Sequence, residues 1–479
     1  MITAHEVFES LYRDSVALMA LSAQLEGMPG VDQVSVVMAT PTNLEILQNS
    51  GMLPEQLDAS PDDLLVVARV ADQAQAADVI EAARAGLLSA SEESGSAEET
   101  RPATIDEGLA VFAADLVAVS TPGEYAPMVA ERALQRGLHV FCFSDNVSVA
   151  DEVRLKKLAV SKHLLMMGPD CGTAFLDGVP LGFMNRVRRA TVGMIGASGT
   201  GAQEIAVLLD RAGLGLSQLI GVGGHDLSAD VNGIMTDLAL DMLLDDEQTE
   251  TIIVVSKPPH PEVARKLMNR LAQSPKPAVA CLLGEPDADG PVPVRGTLEA
   301  AAREVAALYD TPLPIQDTTI APNPDRPSGL LALYTGGTLA GEATVITERE
   351  GVAAEILDLG DDQYTRGRPH PMIDPGHRAA RLAEVGQRAD VGTVLLDCVL
   401  GHAAHLDPAT PIADAARTAI ATARQAGRDL QVVASVCGTD QDPQGLAGQR
   451  RILAEAGVVV VDSNAAAVRA AIDSVRGAR

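Results

Sequence analysis

The chain has 479 residues, 47% hydrophobic, 21% charged and 2% aromatic, with no tryptophan. That is apolar material for several cores, about three or four domains at ~150 residues each, and it excludes a chain disordered throughout. Thirty-six Lys and Arg against 65 Asp and Glu leave a net charge of −29; a field of that sign repels phosphate backbones, so no nucleic-acid partner is expected, while helix N-termini and loop amides can still hold small anions.

Cores made of Ala, Val, Leu and Ile suit parallel α/β folds better than β-sandwiches. The five cysteines (Cys142, Cys171, Cys281, Cys398, Cys437) form no CxxC pair. Neither a disulfide framework nor a metal site is expected, and a reducing cytoplasm fits. Residues 1–10 lack an apolar stretch of the signal-peptide kind, and no window offers about 18 unbroken apolar residues, so no membrane association is expected.

In chain order, residues 1–88 read as a small N-terminal α/β module. Its strand signals are at 34–38 and 64–68, and its helical patterns at 15–25, 43–48 and 73–85. No GxGxxG follows its first strand, so no dinucleotide site is expected there. Residues 89–104, rich in Ser and Glu, read as an acidic linker. Over 105–189, strands at 116–120, 138–143 and 164–167 alternate with helices at 127–136 and 149–161, a parallel sheet with right-handed crossovers. A fresh doubly wound unit fills 190–319, with strands at 191–195, 219–222, 251–255 and 278–283. Three prolines in 320–328 mark a linker. A last unit, 329–479, has strands at 330–333, 354–358, 394–397, 432–436 and 458–461. The last two units read as flavodoxin-like folds.

Four strand exits and one proline-stiffened loop carry candidate chemistry. In Gly196-Ala197-Ser198-Gly199-Thr200-Gly201, a buried strand enters a small-residue turn and then a helix. Glycines admit close approach, Ser198 and Thr200 add hydroxyls, and free N–H groups with the helix dipole face an anion. No GKS or GKT follows, so this is not a Walker A loop. Gly223-Gly224-His225 lies at the carboxyl end of the next strand. There His225 could bind an anion, move a proton or cap a helix. Gly401-His402, after a strand of the last unit, suggests a second helix start that could face the first across one phosphate. His405 lies three residues on, but no third metal ligand follows. In Arg366-Gly367-Arg368-Pro369-His370-Pro371-Met372-Ile373-Asp374-Pro375, prolines stiffen a loop in which Arg366, Arg368, His370 and Asp374 could read a carboxylate. Cys171, in Gly168-Pro169-Asp170-Cys171-Gly172, reads as a structural cysteine rather than a nucleophile.

These residues carry a resemblance. Segment 105–316 resembles the α subunit of succinyl-CoA synthetase, through Gly168-Pro169-Asp170-Cys171-Gly172, Ser198-Gly199-Thr200 and Gly221-Val222-Gly223-Gly224. Segment 329–479 resembles the C-terminal domain of its β subunit, whose Gly-Gly-Ile helix start falls at about Leu400-Gly401-His402. The whole chain, with its loop at 368–375, is similar to the FdrA family. The resemblance implies a multi-domain α/β chain. A Rossmann-like CoA-binding-type domain at 105–189 would be followed by an α-like flavodoxin-like domain at 190–319 and a β-like one at 329–479.

Two departures bear on activity. Where the synthetase carries its phosphorylated histidine, this chain reads Arg295-Gly296-Thr297-Leu298-Glu299. No region reads as an ATP-grasp domain, and the first Rossmann strand with its CoA phosphate loop is not visible. CoA is therefore implied by fold alone, and no cofactor is assigned. The family's other activity needs neither nucleotide nor phosphohistidine. It is that of the AllF-type subunit of oxamate carbamoyltransferase in allantoin (purine) catabolism, with AllG- and AllH-like partner subunits. Its substrates would be carbamoyl phosphate and a small carboxylate or amide. On that reading Gly196, Ser198, Gly199, Thr200, Gly201, Gly223, Gly224 and Gly401 serve phosphate. Arg366, Arg368 and Asp374 serve the second substrate, and His225, His370 or His402 moves a proton. The alternatives are an acyl-CoA synthetase-like subunit and a non-catalytic assembly subunit.

Overall fold

A computed structural model of the chain describes residues 2–8, 11, 15–54, 57–60, 63–92, 102–321, 323–365 and 369–476. It divides into two compact units, one built on Met1–Pro102 and one on Ala103–Thr365 with His370–Arg479.

The first unit runs β1 (Ile2–Phe8), α1 (Ser15–Glu26), β2 (Val31–Met38), α2 (Pro41–Asn49), β3 (Leu64–Val70), α3 (Gln73–Glu92). Its sheet is antiparallel in the order β1-β3-β2. Successive side chains of a strand point to opposite faces. Leu64, Val66, Ala68 and Val70 accordingly join one apolar cluster, and Leu65 and Val67 join another with Leu47 and Met52. That two-sided burial explains why 64–68 reads so plainly as a strand. β1 escapes sequence reading because Thr3, His5 and Glu6 interrupt its apolar residues. The acidic stretch expected as a linker begins later, since α3 continues to Glu92; residues 93–101 lie outside the described residues.

The second unit opens with α4 (Ile105–Val111), β4 (Leu116–Val119), α5 (Ala126–Gln135), β5 (His139–Cys142), α6 (Val149–Ser161) and β6 (Met166–Met167), around a parallel sheet β4-β5-β6. Then come β7 (Thr173–Leu176), β8 (Val179–Gly182), β9 (Arg189–Ala197), α7 (Gly199–Arg211), β10 (Leu216–Gly221), α8 (Ile234–Asp245), β11 (Thr251–Ser256), α9 (Pro261–Leu271), β12 (Ala278–Leu282), β13 (Val294–Arg295) and α10 (Leu298–Ala307). They build a seven-stranded sheet, β13-β12-β11-β9-β10-β7-β8. Last come β14 (Gly329–Tyr334), α11 (Gly337–Arg349), β15 (Ala354–Asp358), α12 (Asp362–Thr365), α13 (Gly376–Val385), β16 (Val391–Val399), α14 (Ala409–Gln425), β17 (Gln431–Cys437), α15 (Leu446–Glu455), β18 (Val458–Val461) and α16 (Asn464–Arg476). Their parallel sheet runs β15-β14-β16-β17-β18, the doubly wound order.

One boundary differs from expectation. β7 and β8 belong to the seven-stranded sheet, where β7 pairs antiparallel with β10. The first sheet therefore ends at β6 rather than at 189. The physical signal is Asp177-Gly178, with φ of 50° and 90°, the two positive values of a tight hairpin turn.

One apolar cluster runs through all three sheets of this unit. A polar seam crosses it between α7, α10, α11 and α16. The Asn464 backbone N–H donates to Glu204 Oε1 at 2.8 Å, and its Nδ2 donates to Glu342 Oε2 at 2.8 Å. Glu342 Oε1 accepts the Leu298 N–H at 2.6 Å, and Tyr334 donates to Asn464 Oδ1 at 2.9 Å. Burial pushes Glu342 up from 4.5 to about 7, against the pull of Asn464 and Leu298. A raised carboxyl pKa stabilises the fold below the unfolded value, and that contribution is lost as pH rises through the folded one. Between about pH 4.5 and 7 the native chain should lose stability relative to Glu342→Gln by up to about 3 kcal/mol. Urea unfolding of both proteins across that range checks the slope; a constant difference overturns it.

Candidate functional site

β9 is buried along its carboxyl half and ends at Ala197; the extended Ser198 then leads into α7. The first helical bond runs from the Ala202 N–H to Ser198 O at 3.1 Å. The amides of Gly199, Thr200 and Gly201 thus have no acceptor within the helix. Ser198 does not cap its own helix; its Oγ meets Thr338 Oγ1 at 2.6 Å. Thr338 belongs to the first turn of α11, which starts the same way: β14 ends at Tyr334, and the Ala340 N–H bonds to Gly336 O at 2.9 Å. The amides of Gly337, Thr338 and Leu339 are likewise left over. The fit is close on both sides. A Cβ on Gly201 would stand 2.5 Å from Ser198 Oγ and 2.9 Å from Thr338 Cγ2, and one on Gly336 would stand 3.0 Å from the Thr200 side chain.

Two helix starts from two different sheets therefore face each other. Each carries roughly half a positive charge, so the arrangement is unfavourable empty and favourable around an anion. Gly199 is exposed and Thr200 and Gly337 are half-buried, which leaves the spot open to solvent. Charged groups frame it. A Cβ on Gly337 would lie 2.5 Å from Asp358 Oδ2 and 3.6 Å from Lys257 Nζ, at the ends of β15 and β11. Burial pushes Asp358 up to about 6, while the Gly360 N–H (3.0 Å) and Lys257 pull it down. Asp397, buried in β16, accepts the Thr335 and Gly336 N–H groups at 2.9 and 2.8 Å and the Thr335 hydroxyl at 2.8 Å. Arg378 of α13, also buried, donates to Asp397 Oδ1 at 2.5 Å and to the Asp397 carbonyl at 2.7 Å.

Of the residues singled out in the sequence, Ser198, Gly199, Thr200 and Gly201 form this cradle. Gly196 lies beneath it in β9, where a Cβ would touch Ala202. His370 stands beside Gly360, a Cβ on which would lie 2.5 Å from His370 Nε2. Its Nδ1 accepts the Met372 N–H at 3.2 Å, and burial, with Arg378 nearby, pushes its pKa down to about 4. With Nδ1 taken up as an acceptor, the Nε2 side of His370 is the one turned toward Gly360.

The other predicted residues lie elsewhere. Gly223 takes φ 85° because a Cβ would meet Pro169 O at 2.6 Å, so it serves backbone packing; Gly224 has open space. The His225 side chain is 69% exposed and lies 3.7 Å from Glu152. Among the described residues no hydrogen bond or ion pair joins it to the cradle. The expected helix start at Gly401-His402 is corrected: α14 begins at Ala409. Gly401, with φ 139°, packs on the Phe183 carbonyl, and His402 Nε2 accepts from Arg186 Nε–H at 3.1 Å. The facing helix comes instead from the first strand of that sheet. Asp374 accepts the Gly376 N–H at the start of α13, at 2.8 Å. Arg366 and Arg368 lie outside the described residues. Sequence reading missed Lys257, Asp358, Asp397 and Arg378, and also Thr335-Gly336-Gly337-Thr338, a strand exit with the same small-residue pattern as 198–201.

Residues 297 and 298, in the stretch expected from the resemblance to replace a phosphohistidine, border the cradle. Thr297 caps α10, accepting the Ala300 N–H at 3.3 Å, and Leu298 Cδ2 would lie 3.2 Å from a Cβ on Gly201.

Three family descriptions match the chain: "AllF, heavy metal-associated domain" over 1–103, "CoA binding domain" over 187–283 and "CoA-ligase" over 333–473. The second falls on the seven-stranded sheet rather than on the expected 105–189. The Escherichia coli (strain K12) protein YahF is 40% identical over 95% of each chain. The succinate–CoA ligase subunit alpha 1 of Archaeoglobus fulgidus is 24% identical, over 45% of this chain and 76% of that one. A solved dinucleotide-forming acetyl-coenzyme A synthetase from Ca. Korarchaeum cryptofilum is 15% identical over 76% of this chain and 83% of that one, with a TM-score of 0.33. Fold and site together define a chain of CoA-binding- and CoA-ligase-type α/β domains behind a small α/β module. It belongs to the FdrA family, alongside YahF and AllF.

The heavy metal in the first description can be tested on the donors. Residues 1–103 hold no cysteine and one histidine, His5. No cluster of three or more His, Cys, Asp or Glu that could hold an ion occurs among the described residues. A thiolate site for a soft metal does not fit. For CoA, the turn after β4 is closed by protein backbone: a Cβ on Gly123 would stand 2.2 Å from Asp145 O. Amides free of helical partners, of the kind that take a phosphate, lie at Gly199–Gly201. No helix among the described residues is long and apolar enough to cross a membrane.

Proposed function

We propose that this chain is the phosphate-handling subunit of a carbamoyltransferase acting on oxamate, in allantoin (purine) catabolism, with AllG- and AllH-like partner subunits in the cytoplasm. The observation that carries the reading is the facing of α7 and α11 through Ser198 and Thr338. The membership of the FdrA family and the AllF-type N-terminal match support it, and the five unpaired cysteines fit a reducing compartment.

In the synthetic direction the amide nitrogen of oxamate forms a C–N bond to the carbamoyl carbon, and the C–O bond to phosphate breaks. The amide proton leaves with the phosphate as hydrogen phosphate. The amides of Gly199–Gly201 and Gly337–Leu339, with Lys257, stabilise the charge gathering on that phosphate. The neutral His370 Nε2–H is suited to polarise a carbonyl oxygen, as an uncharged imidazole does where a weak acid is needed.

The test is an isotope-labelled assay of the chain with its partner subunits, carbamoyl phosphate and oxamate, reading oxalurate by mass spectrometry. Product that falls about 100-fold in Ser198→Ala/Thr338→Val supports the reading. No product with partners present overturns it, and product unaffected by the variant assigns this chain a non-catalytic place in the assembly. The match to CoA-ligase over 333–473 favours a second reading, an acyl-CoA ligase-like subunit. It predicts acyl-CoA formation when CoA and nucleotide replace carbamoyl phosphate.

A further inference from the structure

The entrance to α11 is held from behind by a buried ion pair. Asp397 takes the two amides that lead into the helix, those of Thr335 and Gly336, and leaves those of Gly337, Thr338 and Leu339 for whatever enters. A carboxylate at the back of an oxyanion cradle opposes the oxyanion unless its charge is offset, because Coulomb terms grow as water is excluded. Arg378 offsets it. It is among the largest fully buried side chains, and it spends Nη1 on the Asp397 carboxylate, the Asp397 carbonyl and the Leu333 carbonyl (3.4 Å). Its Nε is buried with no partner. A buried ion pair with an orphaned donor is a poor stabilising device, since an apolar pair of similar volume is often as good or better. The arrangement makes sense as placement of charge.

We propose that Arg378 is a positioning residue of the oxyanion site. By pairing with Asp397 it fixes the Thr335–Gly336 entrance to α11 and keeps that carboxylate from repelling the bound anion. The inference rests on reading the facing helix starts as an oxyanion site. The other charged groups around that entrance are Lys257, just past β11, and Asp358, at the end of β15; Asp397 adds to the push on the Asp358 carboxyl, and His370 feels both members of the pair.

Sulfate, a dianion throughout the neutral range, is the probe, and calorimetric titration of the full chain at pH 7.5 is the readout. Arg378→Met leaves Asp397 unpaired and should weaken sulfate about tenfold or more. Asp397→Asn leaves Arg378 unpaired but trades one of the oxygens that hold Thr335 and Gly336 for an NH2 group, so the two effects oppose and sulfate affinity should change by less than about threefold. The double variant Arg378→Met/Asp397→Asn, with both charges gone, should return to within about threefold of the native value. A merely structural pair gives another pattern, with both single variants weaker and the double variant weakest, and that result overturns the proposal. Should Arg378→Met not fold, Arg378→Lys decides: a cation kept beside Asp397 should hold sulfate within about threefold of native, and a loss of tenfold or more overturns the proposal. Native protein that binds no sulfate overturns the oxyanion reading itself and this inference with it.

Discussion

Lys156→Met should cost about 3–5 kcal/mol of stability, the largest single loss expected outside the apolar core. Lys156 has no exposed surface. Its Nζ donates to Glu152 Oε1 at 2.6 Å, Asp226 Oδ1 at 2.7 Å and the Val222 carbonyl at 2.8 Å, so all three protons are used. Glu152 and Lys156 sit on α6, beside the first parallel sheet. Asp226 belongs to the loop after β10 and also holds the start of α8, accepting the Thr236 N–H at 2.8 Å and its hydroxyl at 2.6 Å. One cation thus ties two layers of the second unit together. Removing it leaves two buried carboxylates facing each other without compensation. Urea unfolding measures the loss, and Lys156→Met/Glu152→Gln should recover part of it. A cost below about 1 kcal/mol would mean that the carboxylates find another cation; His225, 3.7 Å from Glu152, is the nearest candidate.

Gly201→Val should abolish oxyanion binding, by about 100-fold or more, while leaving the chain folded. The added Cβ would come within 2.5 Å of Ser198 Oγ, 2.9 Å of Thr338 Cγ2 and 3.2 Å of Leu298 Cδ2. All three belong to groups that define the cradle, so whichever yields, the two helix starts part. Overpacking of this kind costs about 1–3 kcal/mol, tolerable for a unit with so continuous a core. Gly448→Ala is the control: it sits in α15 with open space around it, so it should leave sulfate affinity unchanged while adding about 0.5–1 kcal/mol of stability. Sulfate titration of the two variants checks the contrast. Native affinity in Gly201→Val would remove the cradle from consideration.

Much of this fold is written locally. Apolar runs rich in β-branched residues mark the central strands because those strands are buried on both faces, as in Thr251–Ser256 and Val391–Val399. Short or edge elements are another matter. β7 and β8 have four residues each, and only the long-range pairing of β7 with β10 reveals their sheet. Half of the site was legible for the same reason. Ser198–Gly201 follows a long buried strand, whereas its partner at 336–338 depends on which of the strand exits in the last sheet comes to face it, a matter of packing between sheets. Gly401 shows the limit of the pattern: a glycine after a strand signals close approach, but the thing approached is the Phe183 backbone. Asp397 and Arg378 are 19 residues apart and carry no motif. Their meaning lies in burial, which composition does not show.

All five cysteines are buried and free. Burial pushes Cys142 up to about 11 and Cys171 and Cys398 up to about 12, and raises Cys281 and Cys437 as well. A thiol is nucleophilic only as thiolate. The folded chain therefore presents almost no thiolate to oxidants or alkylating agents, and what reacts is the chain that has opened. Its cysteines act as a built-in clock: the rate at which they take up a thiol reagent reports how often each layer comes apart.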